Sequence, residues 1–270
     1  MNDTPFKQVL LAVALAGLTL HASAHRNWIM PSTTVAEGKE PWVVIDGVNS
    51  ENLFELDDGA LKLDGVAIIE PDGSRGVVPS ISSGRLRSTF DLKLVKNGTY
   101  KIALVNTTVT ASYKVGAEQR RFRGSEQAFA REVPANAEEL RATILQARLE
   151  TFVTANQAST GALKPSGSGL EMVPLTHPND LRAGETARWR FQLDGQALPN
   201  FAFSLVPGGV RYRGVLGEIR LATDASGEAS VSLPAAGMYW LNATHQPQPA
   251  QGPGAARRYS YAATLEILPQ

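Results

Sequence analysis

The stretch Asn97-Gly98-Thr99-Tyr100-Lys101-Ile102-Ala103-Leu104 decides the fold class, because it joins a turn dipeptide to a strand with apolar side chains at every second position. A period of two is typical of a strand that buries one face in a sheet. The same alternation recurs in residues 90–94, 109–115 and 189–193. Glycine turns separate such segments at short intervals, as in an antiparallel sandwich. We therefore predict an all-β fold.

The first 24 residues have the three parts of a secretory signal peptide. A polar start carries Lys7, an apolar run of twelve residues spans 9–20, and the small residues Ala22-Ser23-Ala24 precede the cleavage point. Twelve residues are too few to cross a bilayer, and no later apolar run is as long, so we expect no membrane anchor. The sequence predicts a periplasmic protein whose mature N-terminus is His25.

Composition excludes several classes of protein. The chain has no cysteine, so it forms no disulfide and offers no thiolate as metal ligand or nucleophile. Lys plus Arg and Asp plus Glu number 26 each, and this zero net charge gives no reason to expect binding to nucleic acid.

The 246 residues that remain after residue 24 (270 minus 24) suit two domains of ordinary size. Leu140, Ile144 and Leu145 have helical spacing and predict a helix over 136–147, with a strand after it from Arg148. Residues 157–169 are rich in Ser, Gly and Ala and predict a linker. We therefore expect a signal peptide, a first sandwich, a helical and flexible connector, and a second sandwich, at 1–24, 25–135, 136–169 and 170–270.

A weak internal repeat supports this division. Each half has a Trp strand followed by an Asp-Gly turn, around Trp42 and Trp189, and later a Gly-x-Tyr-x-aliphatic strand, at 98–102 and 237–241. The alternative is that any two sandwiches share such turn chemistry. Both interpretations predict tandem immunoglobulin-like sandwiches.

A mature chain that starts at His25 offers a metal ion two nitrogens from one residue, the α-amine and the ring. The amine has a pKa of about 7.7 to 8.0, so a transition metal displaces its proton readily. A third nitrogen from His177 or His245 would complete a histidine brace, which favours copper and also accepts nickel. The alternatives are a frayed terminus, a hydrogen-bonded turn histidine at 177 and a solvated strand-end histidine at 245, the last of these the better interpretation for His245.

Other functional motifs are missing from the sequence. It contains no Gly-x-Ser-x-Gly elbow, no phosphate-binding glycine loop and no dinucleotide fingerprint. Glu55, Asp57, Asp58 and Asp64 lack the spacing of a calcium loop and indicate a solvated turn. The basic stretch 120–123 is typical of a solvated strand edge that discourages pairing with another chain.

Three segments carry a resemblance to a known family, and they are 24–32 (AHRNWIMPS), 171–181 (EMVPLTHPNDL) and 236–241 (AGMYWL). They resemble an exported bacterial family, domain of unknown function 4198, whose members are often labelled the periplasmic component of a cobalt or nickel transport system. The likeness extends over nearly the whole mature chain. It implies metal handling, and of the candidate ligands it favours only His25 and His177, which lie in the matching segments.

These observations give one leading hypothesis and two alternatives. The first is a non-enzymatic periplasmic protein that binds nickel, cobalt or copper and delivers it to a membrane transporter. The second is a copper mono-oxygenase acting on polysaccharide, although such enzymes usually pair the brace within one domain and His25 is 152 residues from His177. The third is an adhesion or scaffold module without a metal site.

Overall fold

The computed structural model describes residues 26–247 and 255–270. The predicted signal peptide and His25 lie outside these residues. Within the described ranges the protein is all-β, with eighteen strands and only short helical segments. None of the helices in that part of the chain is long and apolar enough to span a membrane.

The first half of the chain supplies ten strands: β1 (Arg26–Pro31), β2 (Val35–Ala36), β3 (Trp42–Ser50), β4 (Gly59–Ala60), β5 (Ala67–Ile69), β6 (Ser82–Ser83), β7 (Ser88–Lys93), β8 (Gly98–Val115), β9 (Glu118–Gly124) and β10 (Glu138–Ala155). The second half supplies eight: β11 (Leu170–Pro174), β12 (Thr186–Leu193), β13 (Gln196–Ala197), β14 (Ala202–Pro207), β15 (Ile219–Ala222), β16 (Glu228–Ser232), β17 (Gly237–His245) and β18 (Ala256–Ile267).

These strands form three sheets. The first sheet has the order β1-β3-β7-β6, with β4 beside β3, and the third has the order β11-β12-β13, with β16 beside β12. Between them lies a nine-stranded central sheet in the order β15-β14-β17-β18-β10-β8-β5, with β2 beside β10 and β9 beside β8. The central sheet therefore contains strands from both halves of the chain.

The two halves join where β10 and β18 pair in parallel, from Thr143 opposite Ala256 to Thr151 opposite Thr264. Beyond its pairing with β18, the last residues of β10 pair in parallel with the short β2, with Thr154 opposite Val35. The predicted pair of sandwiches is present, but the two share one continuous sheet.

Alternation along β10 places the two hydrophobic cores on opposite faces of the central sheet. Val153 packs in the core under the first sheet, with Ile45 and Tyr100. Its neighbour Phe152 packs in the core under the third sheet, with Trp189. Because successive side chains of a strand point to opposite faces, β10 belongs to both sandwiches at once.

The helix predicted over residues 136–147 is wrong, because Glu138–Ala155 is one continuous strand of 18 residues. The strand pairs along the equally long β8, from Glu138 opposite Lys114 to Ala155 opposite Gly98. The hydrogen bonds and contacts of this strand pairing stabilise the extended conformation more than the weak helical pattern favours a helix. A helix here would gain little from burial, since Leu140 is 40% exposed. A short helix does form, but earlier, at Glu126–Glu132 between β9 and β10, where Ser125 caps its N-terminus.

Residues 157–169, here called the connector segment, were predicted as a linker with nothing to bury. In the structure the segment lies over the central sheet and contains a single 3₁₀ turn, Gly161–Leu163, in which Ala162 and Leu163 are buried. Ser159 fixes its start, because its backbone N–H donates to Thr99 Oγ1 (3.1 Å) and its hydroxyl accepts from the Thr99 N–H (2.9 Å). The prediction of a loose linker is therefore wrong.

Candidate functional site

A cavity of about 710 Å³ lies where the two sandwiches meet, and we call it the seam cavity. It occupies the edge of the central sheet where β18 ends beside β10 and β2 begins. Both halves of the chain supply its walls: Thr33, Thr34 and Val35; Thr154 and Asn156; Ala158, Ser159 and Thr160; His177, Asn179, Asp180 and Arg182; and Glu266 and Leu268.

Both ring nitrogens of His177, on the wall of this cavity, form hydrogen bonds. Nε2 lies 2.9 Å from Thr99 Oγ1 and 3.2 Å from the Ser159 carbonyl oxygen. Nδ1 accepts from the backbone N–H of Asn179 (3.2 Å). A carbonyl only accepts, so Nε2 carries the proton and Nδ1 does not. The ring is thus held as one neutral tautomer.

A chain of buried hydroxyl and amide groups continues from His177 across the sheet. Thr99 Oγ1 and Thr154 Oγ1 lie 2.9 Å apart, and Thr154 donates to Asn179 Oδ1 (2.9 Å). Since Thr154 gives its only hydroxyl proton to Asn179, Thr99 must donate to Thr154, and His177 donates to Thr99. Asn179 Nδ2 then donates to the Phe152 carbonyl (3.0 Å). The network ties the His-Pro-Asn-Asp turn to β8 and β10.

The protonation state of His177 follows from its surroundings. Burial lowers the pKa of His177 below its ordinary value of 6.5, although the hydrogen bond to Ser159 and the charge of Asp180 oppose the shift. A metal ion at either nitrogen would have to replace one of the hydrogen bonds described above. Thr99 is fully buried, and the nitrogen facing it already holds a proton, so the pair is not a nucleophile with its general base.

The charged groups of the seam cavity are Glu266, Asp180 and Arg182. Glu266 is half-buried and accepts a hydrogen bond from the Thr34 hydroxyl. Arg182 pairs with the exposed Asp180 at 3.4 Å and donates to the Pro269 carbonyl (3.3 Å). The cavity thus combines two carboxylates with one guanidinium.

His245 lies elsewhere. It ends β17, and its ring packs edge-on against Phe201, with centroids 5.6 Å apart. The register places it opposite Tyr259 and places Tyr259 opposite Gln146 of β10, whereas His177 contacts Thr99, which lies opposite Thr154 of β10. These two positions on β10 are eight residues apart (154 minus 146), or about 26 Å along a strand. The structure does not bring His177 and His245 together.

His25 itself is outside the described residues, but its neighbour Arg26 is placed. Arg26 begins β1 opposite Ser50, and its Nη1 donates to the Glu51 carbonyl (2.6 Å). The seam cavity lies beyond the other end of β1, a strand of six residues that extends about 17 Å. The described residues hold no group of three or more His, Asp or Glu side chains that could bind a metal. The geometry gives no support to a shared site, and each histidine stays a predicted ligand.

The acidic segment after β3 organises its own loop. Asp57 accepts from the backbone N–H groups of Glu51 and Asn52 (both 2.9 Å). Burial raises the pKa of Asp57, but the hydrogen bonds from Asn52 and Glu51 outweigh it and lower the pKa below its usual value. Asp58 accepts from Asn49 Nδ2 (2.7 Å). These contacts agree with the predicted solvated turn.

Sequence reasoning missed Glu266 and Thr34, which close one side of the seam cavity. They are 232 residues apart in the chain, and neither belongs to a recognisable motif. Only the pairing of strands places them side by side, so no local pattern could have identified them.

The fold and the seam cavity define a two-sandwich, all-β protein with a polar cavity between its halves. The family described as Domain of unknown function (DUF4198) matches residues 22–247, and the chain belongs to that family. No curated protein matches the chain.

Several solved structures resemble this chain at low similarity. The D0-D1 domain of Intimin is 11% identical, with 89% of this chain and 97% of that chain covered and a TM-score of 0.23. The human OSCAR ligand-binding domain is 15% identical, with 90% and 99% covered and a TM-score of 0.20. Escherichia coli alpha-2-macroglobulin activated by porcine elastase is 11% identical, with 91% and 31% covered and a TM-score of 0.22. Scores this low support no inference about function.

Proposed function

We propose that this chain is a periplasmic binding protein that holds a small polar ligand in the seam cavity without transforming it. The observation that carries the proposal is the cavity itself. Its volume, about 710 Å³, lies within the roughly 300–1,000 Å³ of ligand sites, which occur preferentially at domain interfaces.

The charged groups of the cavity support a zwitterionic ligand. Glu266 receives one hydrogen bond, from Thr34, and its carboxylate has further acceptor positions for an ammonium group. Arg182 uses Nε for Asp180 and Nη1 for the Pro269 carbonyl, so its Nη2 remains to donate to a ligand carboxylate. A free amino acid or a short peptide carries both complementary groups, so we propose this chemical class as the ligand.

The hydrogen-bond network supports binding over catalysis. The proton on His177 Nε2 faces Thr99 and Ser159, and the lone pair on Nδ1 faces a backbone N–H. Neither nitrogen is available to take a proton from a ligand, which general base catalysis requires. The network instead makes one wall of the cavity rigid.

Calorimetry on the purified protein with a panel of free amino acids and dipeptides tests the proposal. We expect at least one member to bind, and Glu266→Gln to weaken that binding at least about tenfold, or about 1.4 kcal/mol. Glu185→Gln is the matched control, because Glu185 is exposed and outside the cavity. The proposal is wrong if no member binds at millimolar concentration, or if Glu266→Gln binds as tightly as the parent.

A second candidate function is the capture of nickel, cobalt or copper at the mature N-terminus and its delivery to a membrane transporter. The observation that favours it is the position of Arg26, whose backbone is paired with β3 and whose side chain is hydrogen-bonded. A chain that begins one residue earlier would have its α-amine and imidazole next to an ordered strand. Such a site would need no metal cluster among the described residues.

Intact mass and calorimetry with Ni²⁺ and Cu²⁺ test this second function. We expect a mature terminus at His25, and at least about tenfold weaker binding when one alanine precedes it or when His25 is replaced by alanine. His245→Ala should bind like the parent. Equal binding by the alanine-extended protein would exclude the amine as a ligand. If neither metals nor zwitterions bind, the scaffold alternative is the better description.

A further inference from the structure

We propose that a second cavity, on the far side of the connector segment from the seam cavity, binds an oxyanion. This cationic pocket has a volume of about 520 Å³, and Lys101, Arg148, Arg75 and Lys164 are its charged lining residues. No Asp or Glu is among the residues that line it. Its floor is the face of β8 and β10 that the connector segment covers.

Lys101 is a buried cation with unused hydrogen-bonding capacity. Its side chain lies on the buried face of β8, and the residue is only 7% exposed. Nζ donates to the Lys164 carbonyl (3.1 Å), and no carboxylate of the described residues lies within 4.0 Å of it. An ammonium group has three donors, and burying a charge without a counter-ion is costly. An anion in the pocket would supply the missing partner.

Arg148 is a second buried cation among the residues that line the pocket. It is also 7% exposed, and Nη2 donates to the Ser166 hydroxyl (3.2 Å) and the Ser168 carbonyl (2.8 Å). Its Nε has no hydrogen-bond partner in the part of the chain that the structure describes. A buried donor without an acceptor costs about 1–3 kcal/mol, and this cost adds to that of the buried Lys101 beside it.

Two glutamates near Arg148 form their contacts away from the pocket. Arg148 Nη1 lies 3.2 Å from Glu150 and 3.5 Å from Glu171. Glu150 accepts from the buried Tyr261 hydroxyl (2.8 Å), and Glu171 accepts from the backbone N–H of Ser166 (2.9 Å). Burial raises the pKa of Glu171, but the Ser166 hydrogen bonds and the Arg148 charge outweigh it and lower the pKa below its usual value. They hold the guanidinium in place, and neither forms an ion pair with Lys101.

Arg75 and Lys164 extend the positive charge to the mouth of the pocket. Both are exposed, and neither forms an ion pair within the described ranges. Positive charges around a cavity mouth raise the local concentration of anions and their association rate. The pocket therefore combines exposed cations at its entrance with two buried cations at its floor, an arrangement suited to a phosphate or a carboxylate.

The test is calorimetry on the full mature protein with inorganic phosphate and with succinate as separate probes. We expect at least one probe to bind, and Lys101→Met to weaken its binding at least tenfold. Arg75→Met is a second variant at an exposed position, for which folding is not in question, and it should weaken binding at least threefold. Lys39→Met is the control, because Lys39 is exposed and outside the pocket.

Thermal unfolding of Lys101→Met adds a readout that does not depend on the ligand. If Lys101 is an uncompensated buried charge, the variant without ligand should unfold at a higher temperature than the parent, and phosphate or succinate should no longer raise that temperature. Binding of phosphate alone or of succinate alone would support the site and narrow its ligand to that class. The proposal would be overturned if neither probe binds at about 10 mM, the range of dissociation constants of weak anion sites. It would also be overturned if Lys101→Met and Arg75→Met bind the anion as tightly as the parent.

Discussion

The proton on His177 has one stable position. Nδ1 faces the backbone N–H of Asn179, so a second proton there would point one donor at another. Such an arrangement loses the hydrogen bond and places a charge in a partly buried site. As the pH falls, protonation of His177 should therefore destabilise the folded protein before protonation of the carboxylates does.

We predict that the protein loses stability as the pH falls below about 6.5. The folded pKa of His177 lies below 6.5, so the unfolded chain takes up the proton first. The contribution of His177 is fully present above pH 6.5 and is lost as the pH falls towards the folded pKa. Urea unfolding at pH 7.5 and 5.5 should show a larger fall in the free energy of unfolding for the parent than for His177→Ala.

The same variant should also be less stable at pH 7.5, by about 1–3 kcal/mol, because Thr99 and Asn179 each lose a hydrogen-bond partner. His245→Ala is the control for both measurements, since its ring packs only at the rim. An equal pH dependence in the parent and in His177→Ala would mean that the ring is not the titrating group.

Among the individual residues, His177 was identified from the sequence as a candidate ligand, with a hydrogen-bonded turn histidine as the alternative. The hydrogen-bond network around its ring could not be predicted, because Thr99, Thr154 and Asn179 are not neighbours in the chain. Lys101 and Arg148 gave no local indication at all. Each is one polar residue in an alternating strand, and only the register of β8 against β10 shows that both lie on the covered face.

Among the elements, strands with clear alternation were predicted correctly, as in β8 and β12. The first part of β10 was predicted as a helix, because its pattern there is ambiguous and no sequence rule reveals that β8 offers a long edge for pairing. The connector segment was mispredicted for a related reason. Small residues were taken as a sign of flexibility, whereas they allow the segment to lie close to the sheet.

Gly161 shows how close that approach is. A Cβ atom added there would lie 2.1 Å from the Pro71 carbonyl oxygen, a backbone atom that cannot move aside easily. We predict that Gly161→Ala destabilises the protein by about 1–3 kcal/mol, as overpacking does elsewhere. Gly59→Ala is the matched control, because nothing lies within 4 Å of its added Cβ and its φ is not positive. Thermal unfolding of both variants would test this, and similar melting temperatures would contradict the close contact.

For the whole molecule, the shared central sheet predicts how the protein unfolds. The parallel ladder of β10 and β18 and the apolar contacts of Trp28, Val48 and Val206 join the halves. Separate domains on a linker would unfold in two steps, but one continuous sheet should unfold in one. We predict a single calorimetric transition whose van't Hoff and calorimetric enthalpies agree.

A chelator should leave that transition unchanged, because each sandwich has its own apolar core and the described residues contain no metal cluster. Two resolved transitions would show that the sandwiches are independent. A loss of cooperative unfolding in the chelated protein would mean that a metal is structural.

The sequence supported two sandwiches, since composition, turns and the internal repeat all divide the chain near its middle. It could not show that they share a sheet. Thr151 and Thr264 lie opposite each other in neighbouring strands although they are 113 residues apart in the chain. No local sequence pattern indicates a pairing between segments so far apart.

That pairing also affects when the protein can fold. β18 follows all the other described strands in the chain, and its 12 residues are the only ones that connect β17 to β10 in the described sheet. Contacts between distant parts of a chain form slowly. The central sheet therefore cannot close until β18 has been synthesised and has paired with β10. If the chain is exported as we propose, late closure of this kind favours translocation before folding.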